Sequence, residues 1–193
     1  MSHAIYQTPA LILKTKNMRE SNKLLTLYTE RFGIVYASTQ SIRALKSKMR
    51  FHTNALSLVN VDLVRGRDIW KLTGIHENMS SFNFVGTDAY LLLHKISALI
   101  RRLCNGEEAH DEIWTDIGNL YRYLDEGTSS EINFELIEII FVVRLLYQLG
   151  YWEGEETFLS ITNPFINEII ETLEVNKPYL IQRINEGIGS SQL

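Results

Sequence analysis

Apolar and polar positions alternate with period two over much of the first 80 residues and recur at helical spacing after that. Five strand-like runs are predicted, over 10–16, 23–29, 34–40, 56–64 and 69–75. In the first, Leu11 and Leu13 point one way and Ile12 shares the other face with Lys14 and Lys16. In the second, Leu25 and Leu27 share a face with Lys23. In the last, Trp70 and Leu72 oppose Lys71 and Thr73. Asn17 with Ser21-Asn22, then Gly33, then Arg65-Gly66-Arg67-Asp68 supply turn chemistry between the runs. A longer polar segment, 41–54, separates the third run from the fourth. Short antiparallel strands lose their exposed edges by closing into a barrel, and this spacing fits an OB-type barrel, with an SH3-like barrel as the alternative.

The period changes near Asn78-Met79-Ser80-Ser81. A helix over 88–104 carries Leu92, Ile96, Leu99 and Leu103 in one stripe, with Thr87 as N-cap and Gly106 beyond its end. A second, over 107–126, carries Ile113, Ile117, Leu120 and Leu124; Glu107 and Glu108 suit its positive start and Gly127 ends it. A third, over 131–149, is apolar nearly all round and reads as a buried central helix. Two more, over 164–173 and 178–187, open with proline in the first turn. The expected class is therefore α+β, an OB-fold β-barrel in 1–80 followed by an all-α helical domain in 81–193.

Charge sharpens this division. The net charge of -4 hides twelve Lys/Arg against five Asp/Glu in residues 1–80, and seven against eighteen in the remainder. The basic half concentrates its cations in connections: Arg43, Lys46, Lys48 and Arg50 fall within eight residues with no acid among them. Lys14, Lys16, Arg19 and Lys23 surround the first turn, and Arg65 and Arg67 flank a glycine. Phosphate binding releases counterions in proportion to such cations, which points to a nucleic acid. Tyr28, Phe32, Tyr36, Phe51 and Trp70 offer stacking surfaces, but a small barrel needs large core residues, and each is expected in the core.

Other chemistry is weakly signalled. One cysteine, Cys104, makes neither an internal disulfide nor a multi-cysteine zinc site. The five histidines lack metal-ligand spacing, and no phosphate loop, dinucleotide fingerprint or nucleophile elbow occurs. No metal, cofactor or catalytic residue is expected, and neither is a membrane span or secretory signal. The acidic run Glu107, Glu108, Asp111 and Glu112 reads as a solvated helix start. Arg144 sits in the most apolar helix, where pairing with a bundle carboxylate is expected. Arg101 and Arg102 suit a helix C-terminus, and with Arg144 they are candidates for docking an acidic protein tail.

The order of segments resembles the bacterial RecO family of recombination mediators. Ala10-Leu11-Ile12-Leu13-Lys14-Thr15, the block Arg19-Glu20-Ser21-Asn22-Lys23-Leu24-Leu25-Thr26-Leu27-Tyr28-Thr29 and Phe32-Gly33 carry the resemblance. The basic loop 43–50, the strand 56–66 and Arg144-Leu145-Leu146-Tyr147-Gln148-Leu149-Gly150-Tyr151 continue it. The resemblance implies an N-terminal OB-fold, binding of single- and double-stranded DNA, annealing of complementary strands, and help in loading RecA together with RecR on DNA coated by single-strand-binding protein. It implies a cytoplasmic, nucleoid-associated, non-enzymatic protein. Arg19, Lys23, Arg43, Lys46, Lys48 and Arg50 are the positions it carries over as DNA contacts; charge and strand placement add Arg65, Arg67 and Lys71. Many members hold a four-cysteine zinc site after the Gly-Tyr element, whereas the segment after Tyr151 here has no cysteine, and the chain is short for the family. A protein-interaction adaptor and an RNA-binding OB protein share the same electrostatics and remain alternatives.

Overall fold

The computed structural model describes residues 4–18, 22–39, 53–79, 81–126, 132–154, 157–159, 161–165, 169–170 and 173–190. They form two compact units: Met1–Gly86 with Cys104–Ala109, and Thr87–Leu103 with His110–Leu193.

The first unit is a closed barrel of β1 (Ile5–Asn17), β2 (Lys23–Thr29), β3 (Gly33–Thr39), β4 (Leu58–Val64) and β5 (Trp70–Met79). The strand order β1-β2-β3-β5-β4, closed by parallel pairing of β3 with β5, is that of an OB-fold. β1 begins at Ile5, five residues before the start read from the sequence, because Pro9 interrupts the strand pattern there. Its first part pairs with β4, Ile5 opposite Val64 through Leu11 opposite Leu58, and its second part with β2. Pro9 lacks an N–H to give, but its carbonyl accepts from Glu30. Ala10, Ile12, Leu25, Leu27, Val35, Ala37, Val59, Val61, Leu63, Trp70, Leu72 and Ile75 fill the interior.

A bulge corrects the face assignment in β1. Ile12 pairs with Leu27, but Lys14, not Leu13, pairs with Thr26. The extra residue reverses the alternation, so Lys14 and Lys16 are exposed while Thr15 stands opposite the core residue Leu25. Ile12 exchanges backbone bonds at the bulge with Leu56 and Ser57, and Leu56 adopts a positive φ of 67° to make the approach.

The second unit contains α1 (Asp88–Leu103), α2 (Asp111–Glu126), α3 (Phe134–Gln148) and α4 (Lys177–Ser190). α3 is the buried helix expected: Leu136, Ile137, Ile139 through Leu146 are all buried, and it packs on α1, α2 and α4. Its N-cap is Asn133, whose side chain accepts from the Leu136 N–H. Pro164 and Phe165 are not helical, and the Phe165 N–H is taken by the Asn163 side chain; the predicted helix over 164–173 does not open there.

The second helix also starts later than its sequence suggests. Glu107 and Glu108 are not its first turn, because residues 104–109 leave the helical pattern and lie on the barrel. The Gly106 carbonyl, at φ 68°, accepts the Ile34 N–H at 3.0 Å, and Gly33, at φ 62°, leaves room for the Glu108 backbone. A Cβ at Gly33 would collide with that backbone.

Candidate nucleic-acid interface

The pleat of β1, β2 and β3 sends Leu25, Leu27, Val35 and Ala37 inward, which leaves the alternate positions to face outward. The register then assembles rows of side chains. Lys14, Thr26 and Tyr36 lie across β1, β2 and β3; Lys16, Leu24, Ser38 and Lys71 lie across β1, β2, β3 and β5. Four adjacent strands make the second row about 14 Å wide. Lys14, Lys16 and Lys71 are exposed and form no ion pair among the described residues. The carboxylate of Asp62 lies on β4, where it accepts from Gln7, so these rows are cationic without an interleaved acid.

Tyr36 corrects the aromatic assignment. Tyr28 and Trp70 are buried and Phe32 is partly buried, as core residues should be, but Tyr36 is 53% exposed. Its place between the inward residues Val35 and Ala37 was the signal in the sequence. Phe32, Tyr6 and Trp70 pack together edge-on or tilted, with centroids 5.0–5.7 Å apart, and are occupied with one another. An exposed ring amid lysines can stack a base while the ammonium groups track phosphates.

The remaining candidates are placed as follows. Arg19, Arg43, Lys46, Lys48 and Arg50 lie outside the described residues. Lys23 is half-buried at the start of β2, and its ammonium donates to Thr53 Oγ1 at 2.8 Å. Arg67 is exposed in the connection from β4 to β5. Arg65 donates to Glu107 Oε2 at 3.1 Å and stacks over Trp70, 5.3 Å from the ring centroid.

In the helical unit, Arg101 and Arg102 are exposed at the end of α1. Arg144 is 5% exposed and has the carboxylate partner expected of it: its Nε donates to Asp116 Oδ2 at 2.8 Å. Its Nη1 donates to the carbonyls of Phe158, Leu159 and Ile161, and Gln148 Nε2 also donates to Asp116 Oδ2. Burial pushes the Asp116 carboxyl upward, against the opposing pull of Arg144 and Gln148. This guanidinium is committed to tying the chain beyond α3 to α2.

Burial, reinforced by Glu108, pushes the Cys104 thiol up to about 12, so it is no nucleophile near neutrality. No group of three metal-ligating side chains occurs among the described residues, and none of their helices is long and apolar enough to cross a membrane.

Residues 1–77 match the family described as Recombination protein O N terminal. Among curated proteins the chain is similar to the DNA repair protein RecO of Clostridium novyi, 27% identical over 150 residues covering 77% of this chain and 57% of that protein. It is similar to those of Dehalococcoides mccartyi strain CBDB1, 26% over 148 residues (76% and 56%), and Chlorobium limicola, 26% over 150 residues (76% and 56%). The matched stretch spans a little over half the length of these relatives.

Proposed function

We propose that the chain is a member of the RecO family, whose N-terminal model residues 1–77 match, and that it acts in DNA repair by binding single-stranded DNA across the β1-β2-β3-β5 face of its barrel. The observation that carries this reading is Tyr36, an exposed ring on β3 in the row of Thr26 and Lys14, with Lys16 and Lys71 in the next row of the same face. Stacking is indifferent to base identity and phosphate contacts are indifferent to sequence, which suits a protein that handles any strand. Annealing of complementary strands and binding of double-stranded DNA extend the same reading; neither requires nucleotide hydrolysis. The basic positions Arg19, Lys23, Arg43, Lys46, Lys48, Arg50 and Arg67 are proposed to extend the cationic surface. A RecR-type partner, the tail of single-strand-binding protein at Arg101 and Arg102, and indirect help to RecA complete the proposed role, in the cytoplasm at the nucleoid.

The test is fluorescence anisotropy with a labelled mixed-sequence single strand at 50 and 200 mM salt. Each phosphate contact contributes about 0.7 to the slope of log K against log salt. Replacing Lys14, Lys16 and Lys71 together by Gln should flatten that slope by about 2. Tyr36→Ala should weaken binding by about 1–3 kcal/mol at either salt without changing the slope. An unaltered slope in the triple variant refutes this placement of the strand.

A further inference from the structure

Arg65 follows the last residue of β4, Val64, whose register partner on β5 is Lys71. It therefore stands beside one end of the cationic row, yet its guanidinium is already engaged. Glu107 receives two donors, the Trp70 indole Nε1 on Oε1 at 2.9 Å and Arg65 Nη2 on Oε2 at 3.1 Å. The two bonds differ in kind. Trp70 is 3% exposed, so its N–H needs an internal acceptor and anchors the carboxylate. The Arg65 and Glu107 side chains are 65% and 40% exposed, so their ion pair is open to water, salt and competing anions. The acid is delivered by a segment pinned to the barrel through the Gly106 carbonyl and the Glu108 backbone, which keeps it opposite Arg65.

We infer that Arg65 is a phosphate contact held in reserve, with Glu107 as a resident anion that competes with the nucleic-acid backbone for its guanidinium. This rests on the single-strand reading of the barrel face. When a phosphate takes Arg65, Glu107 keeps its bond to Trp70, so the exchange leaves the barrel intact. The resident acid thus weakens binding and lowers its salt dependence by one contact.

Glu107→Gln tests it, because the amide oxygen still accepts from Trp70 while the charge on Arg65's partner is gone. Full-length parent, Glu107→Gln, Arg65→Gln and the double variant are titrated against the same labelled single strand, with tryptophan fluorescence and thermal melts confirming that each barrel is folded. Glu107→Gln should bind more tightly at 50 mM salt, with a slope steeper by about 0.7, so that its advantage over the parent shrinks about 2.6-fold between 50 and 200 mM. Arg65→Gln should cost more in the Glu107→Gln background than in the parent, and the double variant should lose the added slope. If the parent binds and Glu107→Gln binds identically, Arg65 is not held in reserve, while the single-strand reading stands. An equal gain from Glu107→Gln with or without Arg65 would show a diffuse charge effect and overturn the competition. Absence of binding by every folded variant overturns the single-strand reading and this inference together.

Discussion

Arg144→Met removes one side chain from the middle of the helical unit and leaves its neighbours stranded. Asp116, with a side chain 3% exposed, loses its only cationic partner among the described residues. The Phe158 carbonyl loses its donor in a buried setting, whereas Leu159 and Ile161 are partly exposed and regain water more easily. Breaking one side of a buried pair costs about 3–5 kcal/mol, because the other charge stays behind. With a urea dependence of about 2 kcal/mol per molar, the helical transition should move down by about 1.5–2.5 M. Far-UV circular dichroism against urea measures it, since the helices dominate that signal. Arg144→Met combined with Asp116→Leu removes both charges, and should recover at least half the loss. A shift in the single variant below about 0.5 M, or losses that simply add in the pair, would show that this network does not hold the unit together.

Other outcomes follow from the barrel and from Asp116. Gly33→Ala, at φ 62° and against the Glu108 backbone, should cost about 1–2 kcal/mol for the backbone alone and loosen the 104–109 segment. Cys104, unreactive toward a disulfide reagent near pH 8 in the parent, should then react; equal protection in both proteins would refute the contact. Deleting Leu13 removes the extra residue, makes Ile12 and Lys14 neighbours on opposite faces and leaves Lys14 and Lys16 outward, so the deletion chain should stay soluble and folded; in a strand without a bulge the same deletion would turn both lysines inward, and an insoluble chain would disprove the bulge. The buried Asp116 carboxyl titrates above its ordinary 3.8, so its contribution to stability is full below that value and is lost as pH rises through the folded one. Asp116→Asn should lack that decline, which urea titrations from about pH 4 to pH 7 would reveal as a parent-minus-variant difference that falls with pH.

Period-two alternation located all five strands, because inward residues such as Leu25, Leu27, Val35 and Ala37 face a single closed core. The same rule put Ile12 on the face of Lys14 and Lys16, whereas Ile12 is in the core, since an inserted residue reverses faces without changing composition. Local helix signals misread Glu107 and Glu108. A glutamate suits a helix start in any sequence, and only the folded barrel supplies Trp70 and Arg65 as competing partners. Tyr36 was legible from its flanking residues but was outweighed by the general need of small barrels for aromatic cores. Arg144 was the reverse case: a lone cation in an apolar helix demanded a carboxylate, and Asp116 provides it.

The path of the chain through residues 104–109 sets an order of events during synthesis. The last barrel strand ends at Met79, but Gly106, which takes the Ile34 N–H, and Glu107, which takes the Trp70 indole, are translated only after α1. At ribosomal speeds of about 5–20 residues per second, some 30 further residues need roughly 2–6 s. During that interval a nascent barrel has its strands but not its final seal. A helix of the second unit must emerge before the first can be finished, so the two are sequentially interleaved in their making although each is a compact body once made.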